Sequence, residues 1–296
     1  MLEEIKDSHK GWTQAVALAR EADWPWEGAL FLGSGSSYYL GRTAAWLARR
    51  AGFAAGAFPS GEVLLHPEAL GSFRSVVGVS RSGRTTELLE AVRALGLPAL
   101  LVTTSPKVEA TGLFQRVIVL SEAQEEAIVQ TRSFSSALVF FLARFLGKGA
   151  VEDLPELFLQ RRDALWQEAS SWPRAARYFI LGTGAAWGLA QEAALKLKET
   201  ALVQAEAFHT LEFRHGPMSL VDEDTAVFLL LEEGGRLEGA VGEEMARLGA
   251  KVREVPYTLS TLPLALVPFQ FLAYQLALEG GRDPNRPRHL SYAVQL

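Results

Sequence analysis

Residues 31–47 read FLGSGSSYYLGRTAAWL, and residues 180–196 read ILGTGAAWGLAQEAALK. Gly33 matches Gly182, Gly35 matches Gly184, Leu40 matches Leu189, and Ala44-Ala45 matches Ala193-Ala194, all at one offset of 149 residues. A short apolar strand, a glycine-containing turn and an alanine-rich helix therefore occur twice. The spacing is that of a whole domain, not of a short solenoid unit. Around each copy, short apolar runs alternate with helical patterns. The runs fall at 29–32, 54–58, 75–79, 100–103 and 117–120, then at 178–181, 203–208, 225–231 and 252–255. This alternation predicts an α/β chain of two parallel sheets flanked by helices. We place the first domain at 1–150 and the second at 151–296, with the charged helix inside 147–173 as the bridge.

The turns carry the first chemical signal. Gly33-Ser34-Gly35-Ser36-Ser37 joins a strand to a helix, and so does Ser80-Arg81-Ser82-Gly83-Arg84-Thr85-Thr86. Glycines let the backbone approach a ligand, hydroxyls donate, and the helix N-terminus is positive, so each turn suits an anion. Either turn alone can be a plain N-cap. Two of them at the carboxyl edge of one sheet suit a phosphate monoester. Neither is a Walker loop or a dinucleotide fingerprint. In the second half Ser36-Ser37 becomes Ala185-Ala186, and the counterpart of the Ser80 turn reads Leu231-Glu232-Glu233-Gly234-Gly235-Arg236. Two carboxylates repel phosphate, so the anion belongs to the first half.

The second half offers acid/base groups instead. Glu192, Lys196 and Glu199 fall at i, i+4 and i+7 and share one helix face. Such a stripe can be ordinary ion pairing. Beyond it, Arg214-His215-Gly216-Pro217 places an imidazole at a Gly-Pro break. A carboxylate, an ammonium and an imidazole are what proton transfer on a small anion requires.

Composition narrows the classes. The 296 residues are 49% hydrophobic with a net charge of −5 and no cysteine. Nucleic acid and anionic membrane find no general attraction in that balance, and disulfides and thiolate chemistry are excluded. The His residues show no metal spacing, no signal segment opens the chain, and no run reads as long and apolar enough to span a bilayer. The expectation is a cytoplasmic protein without metal or cofactor.

The stretch EAALKLKETALVQAEAFHTLEFRHGPM (192–218) resembles the core motif of sugar isomerase (SIS) domains. The likeness is greatest to the isomerase half of glucosamine-6-phosphate synthase and to stand-alone glucosamine-6-phosphate deaminases. It extends along the whole chain and implies two flavodoxin-like SIS domains related by an internal repeat. It implies that Glu199 is the base moving a proton between sugar carbons, with Glu192 and Lys196 as charged neighbours. His215 would assist ring opening in a neighbouring subunit, which makes the working unit a homodimer. Ser80, Ser82 and Thr85 match the family's S-x-S-G-x-T loop, so they would hold phosphate with Ser37 and Arg81, and Gly35 would lie near the substrate. Gln130-Thr131-Arg132 stands near the substrate where the family has T-K-[AS]-F, with Gln130 in place of a serine. The tail 283–292 resembles the closing D-x-x-x-P-R-x-L-[AS]-K that covers the site, but Tyr292 replaces its lysine. The resemblance implies a hexose or aminohexose 6-phosphate as substrate, with glucosamine-6-phosphate deamination as the specific reaction. The sugar half of a synthase-like system without its glutaminase, and a non-catalytic sugar-phosphate regulator, are the alternatives.

Two helices complete the reading. Residues 1–22 predict one helix lying across the domain surface. Residues 262–278 are apolar all round, so they are either central to the core or a subunit interface.

Overall fold

The computed structural model describes residues 1–19, 23–108 and 112–292. The first sheet contains β1 (Ala29–Gly33), β2 (Ala55–Pro59), β3 (Ser75–Val79), β4 (Ala99–Thr103) and β5 (Arg116–Val119), in the order β2-β1-β3-β4-β5. The second contains β6 (Arg177–Gly182), β7 (Gln204–His209), β8 (Thr225–Glu232) and β9 (Lys251–Tyr257), in the order β7-β6-β8-β9. Every pairing is parallel. The inner strands are apolar without alternation because helices cover both faces. All five residues of β1, of β3 and of β4 are buried, whereas the edge strand β2 is half-buried throughout.

The helices are α1 (Leu2–Lys6), α2 (Ser8–Leu18), α3 (Ser36–Arg50), α4 (Ser60–Leu65), α5 (Thr86–Leu95), α6 (Arg132–Leu146), α7 (Leu154–Ser171), α8 (Ala185–Lys196), α9 (Arg236–Arg247) and α10 (Leu262–Glu279). Between the sheets, α3 and α8 cross closely. Thr43 Oγ1 donates to Ala185 O at 2.8 Å, and the Arg42 guanidinium lies 3.7 Å from the centre of the Trp187 ring. The contact is possible because residue 188 is glycine: a Cβ there would stand 2.3 Å from Thr43 Oγ1 and 2.4 Å from Tyr39 O. One hydrophobic cluster runs through this seam and joins Phe31 and Leu138 to Leu189 and Phe269. A smaller cluster lies under α5 beside the first sheet, and another under α9 beside the second.

Three expectations change. The N-terminal segment is two helices, broken at Asp7, and it is not superficial: Ile5 and Trp12 are fully buried, and Trp12 Nε1 donates to Ser135 Oγ at 2.9 Å. Residues 20–22 of the expected helix lie outside the described residues. The segment Leu259–Glu279 is long and apolar enough to cross a bilayer, contrary to the reading of the sequence, but 83% of its most apolar window is buried inside the protein. It is a core helix. Trp172, Phe228 and Phe269 pack there ring to ring, with centroids 4.7 to 5.2 Å apart. Each fully buried side chain of this size contributes about 1.5–3 kcal/mol, so sequestering the apolar helix stabilises the junction of the two halves.

Candidate active site

The first anion turn is built by close approach. After β1 the chain reverses so tightly that a Cβ on Gly33 would lie 2.8 Å from Ser37 Cβ. Gly35 follows with φ 56° and ψ −128°, which a side chain rarely permits, and α3 then begins at Ser36. The second turn is held by its own hydroxyls. Ser80 Oγ accepts from Gly83 N and lies 3.1 Å from Thr85 Oγ1, and Ser82 Oγ accepts from Arg84 N at 3.1 Å. Ser34 Oγ donates to Glu87 Oε2 at 2.6 Å and ties one turn to the other.

The charged stripe arrives from the second half. Lys196 Nζ lies 3.2 Å from Glu192 Oε1 and 2.7 Å from Glu199 Oε2, and it donates to Ser36 Oγ at 3.3 Å. Glu192 and Lys196 are fully buried, while the Glu199 side chain is 20% exposed. Burial pushes the Glu192 carboxyl up to about 7, against the pull of Lys196. Burial alone would lower the Lys196 ammonium, but Glu192 and Glu199 together hold it above the usual lysine value. The helix changes winding at this point. Leu197–Ala201 forms a π-helical turn that ends at Leu202 with φ 53° and ψ 38°. A π turn winds each residue through less than the 100° of an α-helix, so Glu199 lags behind the buried position above Glu192.

These pieces enclose one cavity of about 190 Å³. Of the residues singled out in the sequence, Gly35, Ser37, Arg81, Ser82, Thr85, Gln130, Lys196 and Glu199 line it. Ser80 stands behind the turn, in a small adjoining space with Ser37 and Gln130. Glu192 backs Lys196 without reaching the cavity lining. Thr131 and Arg132 do not line it either. Thr131 caps α6 through Glu125, which accepts from its N and Oγ1 and from Arg132 N. The Arg132 guanidinium donates to Gln124 O and borders a different cavity beside Glu3 and Glu4. His215 lies exposed on the turn between residues 212–214 and 217–220, away from the lining. Ser34 and Ser36 of the first anion turn also line the cavity, whereas reading the sequence missed Ile128 there and Glu125 altogether. The repeated glycine turn already pointed to Ser36. Leu290, Ser291 and Tyr292 close one wall, so the tail does reach the site.

The model of the SIS domain matches residues 174–257. The glucosamine-6-phosphate deaminase of Thermotoga maritima is 30% identical, with a TM-score of 0.89 over 100% of this chain and 99% of that one. The chain belongs to the SIS family. The isomerizing glutamine–fructose-6-phosphate aminotransferase of Pyrobaculum aerophilum is 28% identical over 89% of this chain and 50% of its own length. The chain thus spans about half the length of the curated relatives it matches. The tagatose-6-phosphate ketose/aldose isomerase of Escherichia coli shares the fold, at a TM-score of 0.83 and 21% identity, over 97% of this chain and 96% of that one.

Proposed function

We propose that this protein is a phosphosugar aldose–ketose isomerase, and specifically a glucosamine-6-phosphate deaminase yielding fructose 6-phosphate and ammonia. The observation that carries the reading is the meeting, in one cavity, of the hydroxyl turns with the Glu199 carboxylate and the Lys196 ammonium. In this reading Ser37, Ser82 and Thr85 hold the phosphate, with Ser80 bracing the turn. Anchoring the remote end aligns the reacting carbons. Glu199 takes the proton from C2 of the open-chain aldehyde and returns it to C1. The resulting C2 imine then takes up water and releases ammonia. Lys196 stabilises the charge that develops on the neighbouring oxygen. His215 assists ring opening from a second copy of the chain, so we propose a homodimer. The likeness to the deaminase over both full lengths supports the assignment. We also take the two sheets as a duplicated unit dividing at 150/151, supported by the matching turn at Gly184, φ 56° and ψ −126°. A cytoplasmic location goes with a phosphorylated metabolite.

A second reading is the sugar half of an aminotransferase-like system, running toward glucosamine 6-phosphate with ammonia supplied separately. The aminotransferase relatives favour it. Tyr292, where the closing motif has lysine, counts against it. The deciding experiment measures ammonia and fructose 6-phosphate formed from glucosamine 6-phosphate, with glucose 6-phosphate in parallel. Ammonia release supports the deaminase, and turnover of glucose 6-phosphate alone makes the protein a simple isomerase. Formation of glucosamine 6-phosphate from fructose 6-phosphate only when a separate glutaminase supplies the ammonia from glutamine supports the second reading. Binding of either sugar phosphate without turnover makes the protein a regulator and overturns both.

A further inference from the structure

Arg81 lies within the Ser80–Thr85 turn, directly after Ser80, yet its guanidinium is committed to other parts of the chain. Nη1 donates to Ala127 O at 2.9 Å and lies 3.7 Å from Glu125 Oε1. Nη2 donates to Tyr292 O at 3.1 Å, and the guanidinium carbon stands 4.0 Å from the centre of the Tyr292 ring. The side chain is 4% exposed and that of Glu125 fully buried. A planar fork that stacks on a ring while donating at its edge is a guanidinium geometry that lysine cannot reproduce. Arg81 thereby joins three elements: the hydroxyl turn by its backbone, the start of α6 through Glu125, and the tail through Tyr292. Its Nε–H is buried and has no acceptor among the described residues.

We propose that Arg81 is a positioning residue that clasps the tail, and not a phosphate ligand. Together with Tyr292 it fixes the wall formed by Leu290, Ser291 and Tyr292, and it couples occupancy of the hydroxyl turn to closure of that wall. The inference rests on the reading of this cavity as a phosphosugar site.

Trypsin reports on the clasp, because Arg288 is exposed in the tail. The full chain is digested with and without glucosamine 6-phosphate, and binding of inorganic phosphate is measured separately. With Arg81→Gln, cleavage after Arg288 is expected to accelerate about tenfold and to lose its protection by the sugar phosphate. Tyr292→Ala, which leaves the buried side of the clasp intact, should accelerate cleavage likewise, and Tyr292→Phe should not. Inorganic phosphate should bind Arg81→Gln within about threefold of the parent. Cleavage unchanged in both Arg81→Gln and Tyr292→Ala overturns the proposal. So does a loss of phosphate binding in Arg81→Gln without tail release, which would make Arg81 a ligand. If the parent binds neither phosphate nor sugar phosphate, the phosphosugar reading fails, and the ligand-free cleavage rates still decide the clasp.

Discussion

Arg42 Nη1 donates to Gln191 Oε1 at 2.9 Å, although the two residues stand 149 positions apart. That separation is also the offset between the two glycine turns, so α3 and α8 meet at corresponding residues. The hydroxyl turns of one half and the charged stripe of the other face a single cavity because these two helices touch.

The crossing tolerates no side chain at residue 188. Gly188→Ala should destabilise the protein by about 1–3 kcal/mol through overpacking. Gly239→Ala, in α9 with open space around its Cβ position, should stabilise by about 0.5–1 kcal/mol. Paired thermal melts of the two variants check this; equal Tm values would contradict the close crossing.

Glu199→Gln should lower kcat by about 10²–10⁴-fold, the range of general base catalysis, with little change in sugar-phosphate affinity. Single-turnover kinetics with a binding isotherm separate the two effects. Full activity in the variant removes Glu199 from the mechanism.

Glu192 should leave a pH signature in stability. Its carboxyl is raised from the ordinary 4.5 to about 7 by burial, so between those values the folded state holds more protons than the unfolded one. Stability from this group therefore falls as pH rises from about 4.5 to about 7 and is level above. Glu192→Gln stays neutral throughout. The Tm difference between variant and parent should move in the variant's favour across that window, as differential scanning fluorimetry at stepped pH would show.

Ser82→Ala and Thr85→Ala should each raise KM for the sugar phosphate about tenfold, the worth of one hydrogen bond to a charged group. Their kcat should change far less. Initial-rate kinetics give the split, and a kcat effect larger than the KM effect would place these hydroxyls near the reacting carbons.

His215 serves a second copy in our reading. His215→Ala and Glu199→Gln should each be nearly inactive alone, and mixing them under exchange should restore about a quarter of parental activity, the share of intact sites in a randomly mixed dimer. No recovery in mixtures that have demonstrably exchanged would place His215 within its own chain's site or outside catalysis.

The parts legible in the sequence were those dictated by local physics. Buried parallel strands must be continuous apolar runs, and Gly33 and Gly35 mark a turn no other residue fits. The spacing of Glu192, Lys196 and Glu199 shows their shared face. The π turn at Leu197–Ala201, which packs against α10, has no local signature in the sequence. Glu125 was hidden because nothing nearby distinguishes it from the exposed Glu122 and Glu126; only the fold buries it. The Arg81–Tyr292 contact spans 211 residues and has no local signature. Thr131 and Arg132 read as substrate neighbours through the resemblance to T-K-[AS]-F, a motif that carries no sign of the cap Glu125 makes there.

The burial of α10 governs how the protein can be made. It is the last of the described helices to leave the ribosome, yet it fills the centre, against α1, α7, α8 and the π turn. At about 5–20 residues per second, the first sheet, complete at Val119, waits about 8–32 seconds for the end of α10 at Glu279, and the two sheets together wait about 1–4 seconds. The hydrophobic cluster shared by both halves is therefore filled only after α10 is made. A stalled chain would present its unfilled interior to chaperones, and a released but misassembled one would present to membranes a helix apolar enough to enter them.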